Sequence, residues 1–296
     1  MSNHLKADLL LVLTTLLAGA GWIFSKEAVA GLAPLLFMAL RFSLAGAILI
    51  VLRPRMLFEL SAQQWRSGLL VGVCFGIAMV FWVLGLDLAN AIGVGAFLSG
   101  LGVVMVPLLG LLFGERPGRH AYMALPWVVA GLACLSLDSE FAIGVGEFCF
   151  LGSAVFLALA FILNSRAAAR MPTLPLTAIQ LLVTGGMTFL SSLLSESQDF
   201  AQPLSIWGWF LASVLLATSL RFSLQTRAQG LAPASHAAII MTLEPIWAAL
   251  LAALWLGERM SLLQLAGCGL IFLAMLINRW PAVRYWWRSG RHAPSA

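Results

Sequence analysis

Residues 231–260, LAPASHAAIIMTLEPIWAALLAALWLGERM, contain most of the features that decide the fold. The segment is almost entirely apolar and is long enough to cross a hydrocarbon core about 30 Å thick as a helix. One carboxylate, Glu244, stands in its middle, directly before Pro245, and the segment closes on Gly257, Glu258 and Arg259. These residues predict a transmembrane helix with an acid near its centre.

The composition extends this prediction to the whole chain. Of 296 residues, 61% are hydrophobic and only 10% are charged, whereas a soluble domain has about 25% charged residues. Period-two alternation of the β-barrel type is absent, so helices are expected. We predict an all-α membrane protein with ten transmembrane helices, at Asp8–Ser25, Pro34–Leu52, Ser67–Leu86, Ile92–Phe113, Tyr122–Leu137, Gly144–Leu163, Pro175–Leu194, Trp207–Gln225, Ala232–Leu256 and Leu262–Ile277.

Arginine and lysine positions predict the orientation. If the N-terminus is cytoplasmic and the first apolar run is a retained span, the outer loops hold only Lys26 and Arg259. The remaining loop cations then face the cytoplasm, which predicts an integral protein of a bacterial inner membrane with both termini inside. Residues 281–296 mix arginine with tryptophan and are expected to be a basic cytoplasmic tail against membrane lipid, with no nucleic-acid partner.

The sequence also contains an internal repeat. Residues 88–117, LANAIGVGAFLSGLGVVMVPLLGLLFGERP, align without a gap on 231–260, so that Leu-Ala at one end and Gly-Glu-Arg at the other coincide. Each half has an odd number of predicted spans, so the second copy enters the bilayer upside down. Two inverted five-helix repeats are therefore expected, at 1–138 and 139–280, an architecture that many secondary transporters share.

These features resemble the drug/metabolite transporter superfamily and, within it, the EamA-type family. The resemblance rests on residues 231–276: a small-residue helix start, Glu-Pro, Gly-Glu further along, and a glycine-rich last helix. The first half departs from the pattern, because Gly102 stands opposite Pro245 and the proline comes later, at Pro107. The resemblance implies that spans one to four and six to nine enclose a midplane cavity, with spans five and ten at the sides.

Glu244 is the first candidate functional residue. An acid at mid-membrane costs a few kcal/mol and usually faces a cavity or a partner. It is either a site for a proton or a substrate amine, or a structural acid bonded to a neighbouring helix. Pro245 removes a backbone donor and is expected to kink the helix, as is Pro107.

Further polar candidates lie within other predicted spans. Arg41 pairs with Glu244, binds a substrate carboxylate or extends toward the outer surface; Gln180 is its counterpart in the second half. His236, two turns before Glu244, is either a proton relay or a packed neutral histidine. Asn164 is a candidate for facing the pathway, and Arg221 is interpreted as a cytoplasmic anchor first and an anion contact second.

Trp22 is the aromatic candidate, with Phe24, Phe81 and Trp82 as further members of an aromatic wall or of ordinary packing. The pair Gly72 and Gly76 permits close helix contact. The four cysteines are expected to be packing residues, without a metal site or a cofactor.

No nucleotide-binding or hydrolase motif occurs, and the loops are too short for a catalytic domain. We therefore predict a non-enzymatic secondary active transporter of a small metabolite, most simply an exporter of amino acids or related compounds by proton exchange and alternating access. A transporter or flippase of a lipid-linked or hydrophobic substrate without proton coupling is the alternative, and a membrane enzyme or sensor subunit a distant one. The oligomeric state is left open between monomer and homodimer.

Overall fold

A computed structural model describes residues 3–88, 92–136, 144–256 and 261–289. Every regular element within these ranges is helical. The α-helices are α1 Asn3–Ala28, α2 Pro34–Leu52, α3 Ala62–Leu88, α4 Ile92–Gly110, α5 Arg119–Ser136, α6 Val145–Ala168, α7 Thr173–Ser195, α8 Leu204–Val214, α9 Arg221–Gln229, α10 Ala234–Met241, α11 Glu244–Leu256 and α12 Leu262–Ser289. Short 3₁₀ turns follow α2 and α4, at Pro54–Leu57 and Leu111–Phe113.

Within the described ranges, seven helical segments are long and apolar enough to cross a membrane: Leu5–Ala28, Pro34–Leu52, Ala62–Leu88, Val145–Ala168, Thr173–Ser195, Leu204–Gln229 and Ala234–Trp255. Two shorter apolar segments, Phe97–Phe113 and Leu262–Asn278, fall in the fourth and tenth predicted spans. The fifth predicted span lies on α5 except for Leu137, which is outside the described residues. An integral membrane protein built of helices is therefore confirmed.

The helices extend beyond several predicted span ends. The sixth span, predicted to end at Leu163, continues to Ala168, and α12 continues from Ile277 to Ser289. Hydrophobicity marks where a helix meets lipid, whereas the backbone hydrogen bonds that propagate a helix are indifferent to side-chain polarity. The Gly257–Arg259 corner and residues 290–296 of the predicted tail lie outside the described residues.

The main helix contacts join helices of the first half of the chain to helices of the second half. Helix α2 packs against α7, α3 against α6 and α7, α4 against α6, and α5 against α12. Helix α1 contacts α8, α9, α10 and α11, and α4 contacts α10. The largest buried cluster is centred on Phe42, Phe75 and Phe222, whose rings meet edge to face with centroids 5.3–6.1 Å apart.

Glycines permit the closest of these helix contacts. A Cβ on Gly131 of α5 would lie 2.9 Å from the carbonyl oxygen of Gly267 on α12, and one on Gly267 would lie 2.8 Å from that of Gly131. The predicted close contact at Gly72 is with α7, because a Cβ there would lie 2.7 Å from that of Val183. Any larger residue at these positions forces the helices apart.

Two predicted spans are interrupted, and both belong to the second half of the sequence repeat. A π-helical segment, Leu215–Leu220, joins α8 to α9. Helix α10 ends at Met241, and α11 starts at Glu244. Pro245 has no N–H to donate to the Met241 carbonyl, which is the physical reason for the break. By contrast, α4 continues past Pro107 to Gly110.

Candidate functional site

Glu244 lies at the helix break and contacts two other segments of the chain. Its Oε1 accepts a hydrogen bond from Trp22 Nε1 on α1 at 3.2 Å, and its Oε2 accepts one from the Arg221 guanidinium at 3.3 Å. The side chains of Arg221 and Glu244 are 16% and 26% exposed. The carboxylate is thus partly accessible and is shared between an indole and a guanidinium.

Arg221 is in a different environment from the one expected at the end of its span. Arg221 makes the second of its two predicted contacts, one with an anion, because it is the first residue of α9 after the π-helical segment and forms an ion pair with Glu244. The guanidinium also lies over the Phe222 ring, 4.4 Å from its centroid. Helix α9 runs on to Gln229, about 12 Å further along its axis.

Arg41 is fixed on the neighbouring side of the π-helical segment. Its Nε donates to the hydroxyl of Thr218, its Nη2 to the carbonyl of Ala217 at 3.2 Å, and its Nη1 to the hydroxyl of Ser25 at 3.0 Å. The residue is 9% exposed, and its guanidinium lies over the rings of Phe37 and Phe42. All three nitrogen atoms are therefore occupied by groups other than Glu244.

The two guanidiniums and the carboxylate form one electrostatic unit, although only Arg221 bonds Glu244 directly. Arg41 bonds Ala217 and Thr218, about one helical turn before Arg221, and so lies within the electrostatic field of Arg221 and its partner Glu244. Together, Arg41, Arg221 and Glu244, which we call the central cluster, carry one more positive than negative charge when all are ionised. Such a cluster can bind a carboxylate at a guanidinium and an ammonium group or a proton at Glu244.

Aromatic side chains border the central cluster on one side. The rings of Trp22 and Trp82 meet edge to face with centroids 6.0 Å apart, and Trp22 remains about half exposed. Phe24 stacks instead on Trp209, and Phe81 on Phe156. The predicted aromatic group is therefore divided between three places, and Trp22 with Trp82 adjoins Glu244.

The other predicted site residues have their described contacts outside the central cluster. His236 Nε2 lies 2.8 Å from Asp8 Oδ1 on α1, and its Nδ1 lies 3.2 Å from the amide nitrogen of Asn278 on α12. Asn164 is buried and donates to Gln229 and Thr226 on α9. Gln180 is buried on α7, beside its contact with Gly72.

Sequence patterns alone missed the Asp8–His236 contact and the Arg221–Glu244 pair. Asp8 offered a partial sequence signal, because it is an acid at the very start of an apolar run. In the part of the chain that the structure describes, no group of three or more His, Cys, Asp or Glu side chains is placed to hold a metal ion. The site's chemistry is therefore argued from the central cluster and its aromatic border.

An array of apolar helices around a partly accessible charged cluster is typical of helical membrane transporters. The profile of the EamA-like transporter family matches residues 5–137 and again residues 144–280. The chain belongs to this family.

The chain is also similar to two transporters whose cargo their names do not give. It is 24% identical over 287 residues to the "Uncharacterized transporter YvbV" of Bacillus subtilis (strain 168), covering 92% of each chain. It is 25% identical over 281 residues to an "Uncharacterized transporter" of Archaeoglobus fulgidus, covering 93% of this chain and 86% of that one. A solved structure, described only as the crystal structure of a protein, matches with a TM-score of 0.81 at 20% identity, over 94% of this chain and 98% of that one. This last likeness concerns the fold alone.

Proposed function

We propose that this transporter exports amino acids or related zwitterionic metabolites in exchange for protons, by alternating access. The observation that carries the proposal is the central cluster: Glu244 is shared between Arg221 and Trp22, with Arg41 beside them. A zwitterion matches this cluster because its carboxylate can take the place of Glu244 at Arg221, and its ammonium group can take the place of Arg221 at Glu244.

The bonds of Glu244 are suited to exchange. Charge-assisted N–H···O bonds are typically about 2.7–2.9 Å long, and the Arg221–Glu244 pair at 3.3 Å is longer than this. Arg41, by contrast, is held by three hydrogen bonds and two aromatic rings. We infer that Arg41 holds the positive field fixed, while Arg221 and Glu244 separate to receive substrate.

Proton exchange then follows from competition at one carboxylate. An ammonium group bound at Glu244 excludes a proton from it, and a proton bound at Glu244 weakens its attraction for the ammonium group. An antiporter requires that one site bind substrate on one side of the membrane and a proton on the other side, and Glu244 would provide that site. The neighbouring Trp22 supplies a hydrogen bond in either state and an apolar surface for the substrate's side chain.

Ten spans in two inverted repeats are part of the same proposal. Its support is the symmetry of the helix contacts. Helix α2 packs against α7 and α5 against α12, and in each pair the two helices are repeat counterparts of each other. The contact of α3 with α6 has its counterpart in the contact of α8–α9 with α1. The family profile matching once in each half also favours it. Two such halves can rock about a shared cavity.

The orientation also belongs to the proposal. With both termini in the cytoplasm of a bacterial inner membrane, the arginine-rich loops face inward and export runs away from them. The working unit is a monomer or a homodimer.

Counterflow in proteoliposomes tests the function. A labelled panel of amino acids is measured with and without a pH gradient for wild type, Glu244→Gln and the control Glu59→Gln, which removes an exposed acid paired with Arg53. We expect Glu244→Gln to lose the pH-driven component of exchange and Glu59→Gln to keep it. Equal pH-driven accumulation by Glu244→Gln and wild type would refute the coupling role. Transport of only hydrophobic or lipid-linked compounds, indifferent to pH, would favour the alternative substrate class.

A further inference from the structure

A cavity whose wall contains none of the central cluster opens where α6 and α9 finish and α10 begins. It has a volume of about 440 Å³. The polar residues in its wall are Glu115, Ser165, Arg166, Arg170 and Gln229, and the turn Gly230–Ala234 completes it. None of these residues belongs to the proposed transport chemistry at Glu244.

The charges in this wall favour an anion. Arg166 and Arg170 contribute two guanidiniums, against the single carboxylate of Glu115. Arg166 is held in place because its guanidinium lies over the Phe113 ring, 5.5 Å from the centroid. The carboxylate of Glu115 accepts a hydrogen bond from Ser235 Oγ at 3.4 Å, at the start of α10. One positive charge in the wall is therefore left uncompensated.

Buried hydrogen-bond donors lie in the same wall. Ser165 is 6% exposed and Gln229 is 1% exposed, yet Ser165 Oγ and Gln229 Nε2 have no hydrogen-bond partner in the part of the chain that the structure describes. Gln229 is held at its other end, because its Oε1 accepts a hydrogen bond from Asn164. A buried donor without a partner costs about 1–3 kcal/mol. Both atoms are shielded from solvent, so each side chain must turn toward the cavity before an acceptor there can remove that cost.

The start of α10 adds backbone donors to this set. Pro233 is its N-cap, and the turn Leu231–Ala234 lines the cavity. The first N–H groups of a helix lack acceptors within the helix, and the helix dipole there attracts negative charge. This feature supports the site together with the guanidiniums and the buried donors of Ser165 and Gln229.

We propose that this cavity is a binding site for an oxyanion, a phosphate or carboxylate group, carried either by a free solute or by the headgroup of an anionic lipid. Arg166 and Arg170 supply the charge, the hydroxyl of Ser165 and the amide of Gln229 turn toward the bound oxygens, and Glu115 opposes binding. The site does not depend on the nature of the transported substrate, and its occupancy is measured without transport.

The free-solute arm uses purified full-length protein and inorganic phosphate. Thermal unfolding is followed at increasing phosphate, with chloride at matched ionic strength as reference. We expect phosphate to raise the unfolding midpoint of wild type, and Arg166→Gln to weaken its apparent affinity by about fivefold or more. Arg227→Gln is the matched control, because Arg227 is an exposed arginine of α9 that does not line the cavity.

Glu115→Gln should change the phosphate affinity in the opposite direction. Removing this negative charge while keeping an acceptor for Ser235 should tighten phosphate binding by a few-fold. A merely structural role for Glu115 would lower stability without improving the affinity. Unchanged or weaker phosphate binding in Glu115→Gln would count against the proposal.

The lipid arm separates the two sources of the anion. The protein is reconstituted in vesicles of phosphatidylcholine with phosphatidylglycerol, re-extracted, and its retained lipid is counted by native mass spectrometry. Selective retention of phosphatidylglycerol that Arg166→Gln abolishes and Arg227→Gln does not would assign the site to a headgroup. The proposal is overturned if neither phosphate nor phosphatidylglycerol shows an effect, or if both arginine variants respond alike.

Discussion

The surplus positive charge of the central cluster makes an asymmetric prediction about stability. Glu244→Gln leaves the positive charges of Arg41 and Arg221 without the carboxylate that offsets them. Arg221→Gln leaves one cation, Arg41, and one anion, Glu244. We therefore expect Glu244→Gln to be the more destabilising change, although each substitution breaks the same ion pair.

The magnitudes follow from the geometry of the pair. Breaking a buried ion pair costs about 3–5 kcal/mol. Here the partners are 16% and 26% exposed and 3.3 Å apart, so about half of that, roughly 2 kcal/mol, is expected for Glu244→Gln. About 1 kcal/mol is expected for Arg221→Gln, since the remaining charges balance. The double variant leaves Arg41 as the one charge of the cluster, with neither Glu244 to balance it nor a second guanidinium to repel it, so its cost should lie between those of the two single variants.

Thermal unfolding in detergent, followed by tryptophan fluorescence, measures these differences. At roughly 2 °C per kcal/mol for a chain of this size, Glu244→Gln should lower the midpoint by about 4 °C, Arg221→Gln by about 2 °C, and the double variant by a value between these. The control is Arg53→Gln, which breaks the shorter 2.9 Å pair with Glu59. Both of those side chains are more than half exposed, so a shift of about 1 °C or less is expected.

The order of the midpoints decides the question. If Arg221→Gln proves as destabilising as Glu244→Gln, or if the double variant is worse than either, the cluster carries no excess positive charge. The account of Arg221 as an available carboxylate site would then be wrong.

Three further predictions concern other contacts. Gly131→Ala should cost about 1–3 kcal/mol, because its Cβ would press on α12, whereas Gly186→Ala, with nothing within 4 Å, should be neutral or stabilising by up to about 1 kcal/mol; unfolding midpoints compare them. Glu196→Gln should cost about 1 kcal/mol by the same measurement, since its carboxylate accepts the first N–H groups of α2 at 2.8 Å. Burial raises the pKa of Glu115, so its carboxyl favours folding at low pH; this contribution disappears as pH rises through the raised pKa, and the midpoint of wild type should fall relative to Glu115→Gln over that range.

The location of most apolar helices was predictable because an uninterrupted apolar run of about 20 residues is typical of a helix that crosses a membrane. The second predicted span, Pro34–Leu52, coincides with α2, where Pro34 opens the helix and Arg53 follows it. Glu244 was also identifiable as a candidate, because an acid is conspicuous in such a run. The transport role assigned to it remains a prediction.

The partners of Glu244 were not predictable for a geometric reason. Regular helical geometry gives each residue a direction on its helix, about 100° after the previous one. The π-helical segment Leu215–Leu220 holds extra residues in its turn and shifts the direction of everything after it, Arg221 included. Nothing in the letters LLATSL indicates that change. The long-range pairing of Asp8 with His236 likewise depends on the packing of α1 against α10, which the sequence of neither helix specifies.

The break at Thr242–Leu243 has a mechanical consequence, because α1 runs unbroken alongside both pieces of the interrupted span. Near its start, Asp8 bonds His236 of α10, and further along, Gly19 receives Trp247 of α11. Helix α1 therefore contacts both pieces of the interrupted span, one on each side of the break. A tilt of α11 about this break would reorient the side chain of Glu244 relative to Trp22, while the Asp8–His236 contact keeps α10 against α1. The two pieces of this span can thus move independently: α11 in response to what binds at the central cluster, and α10 in response to its contact with Asp8.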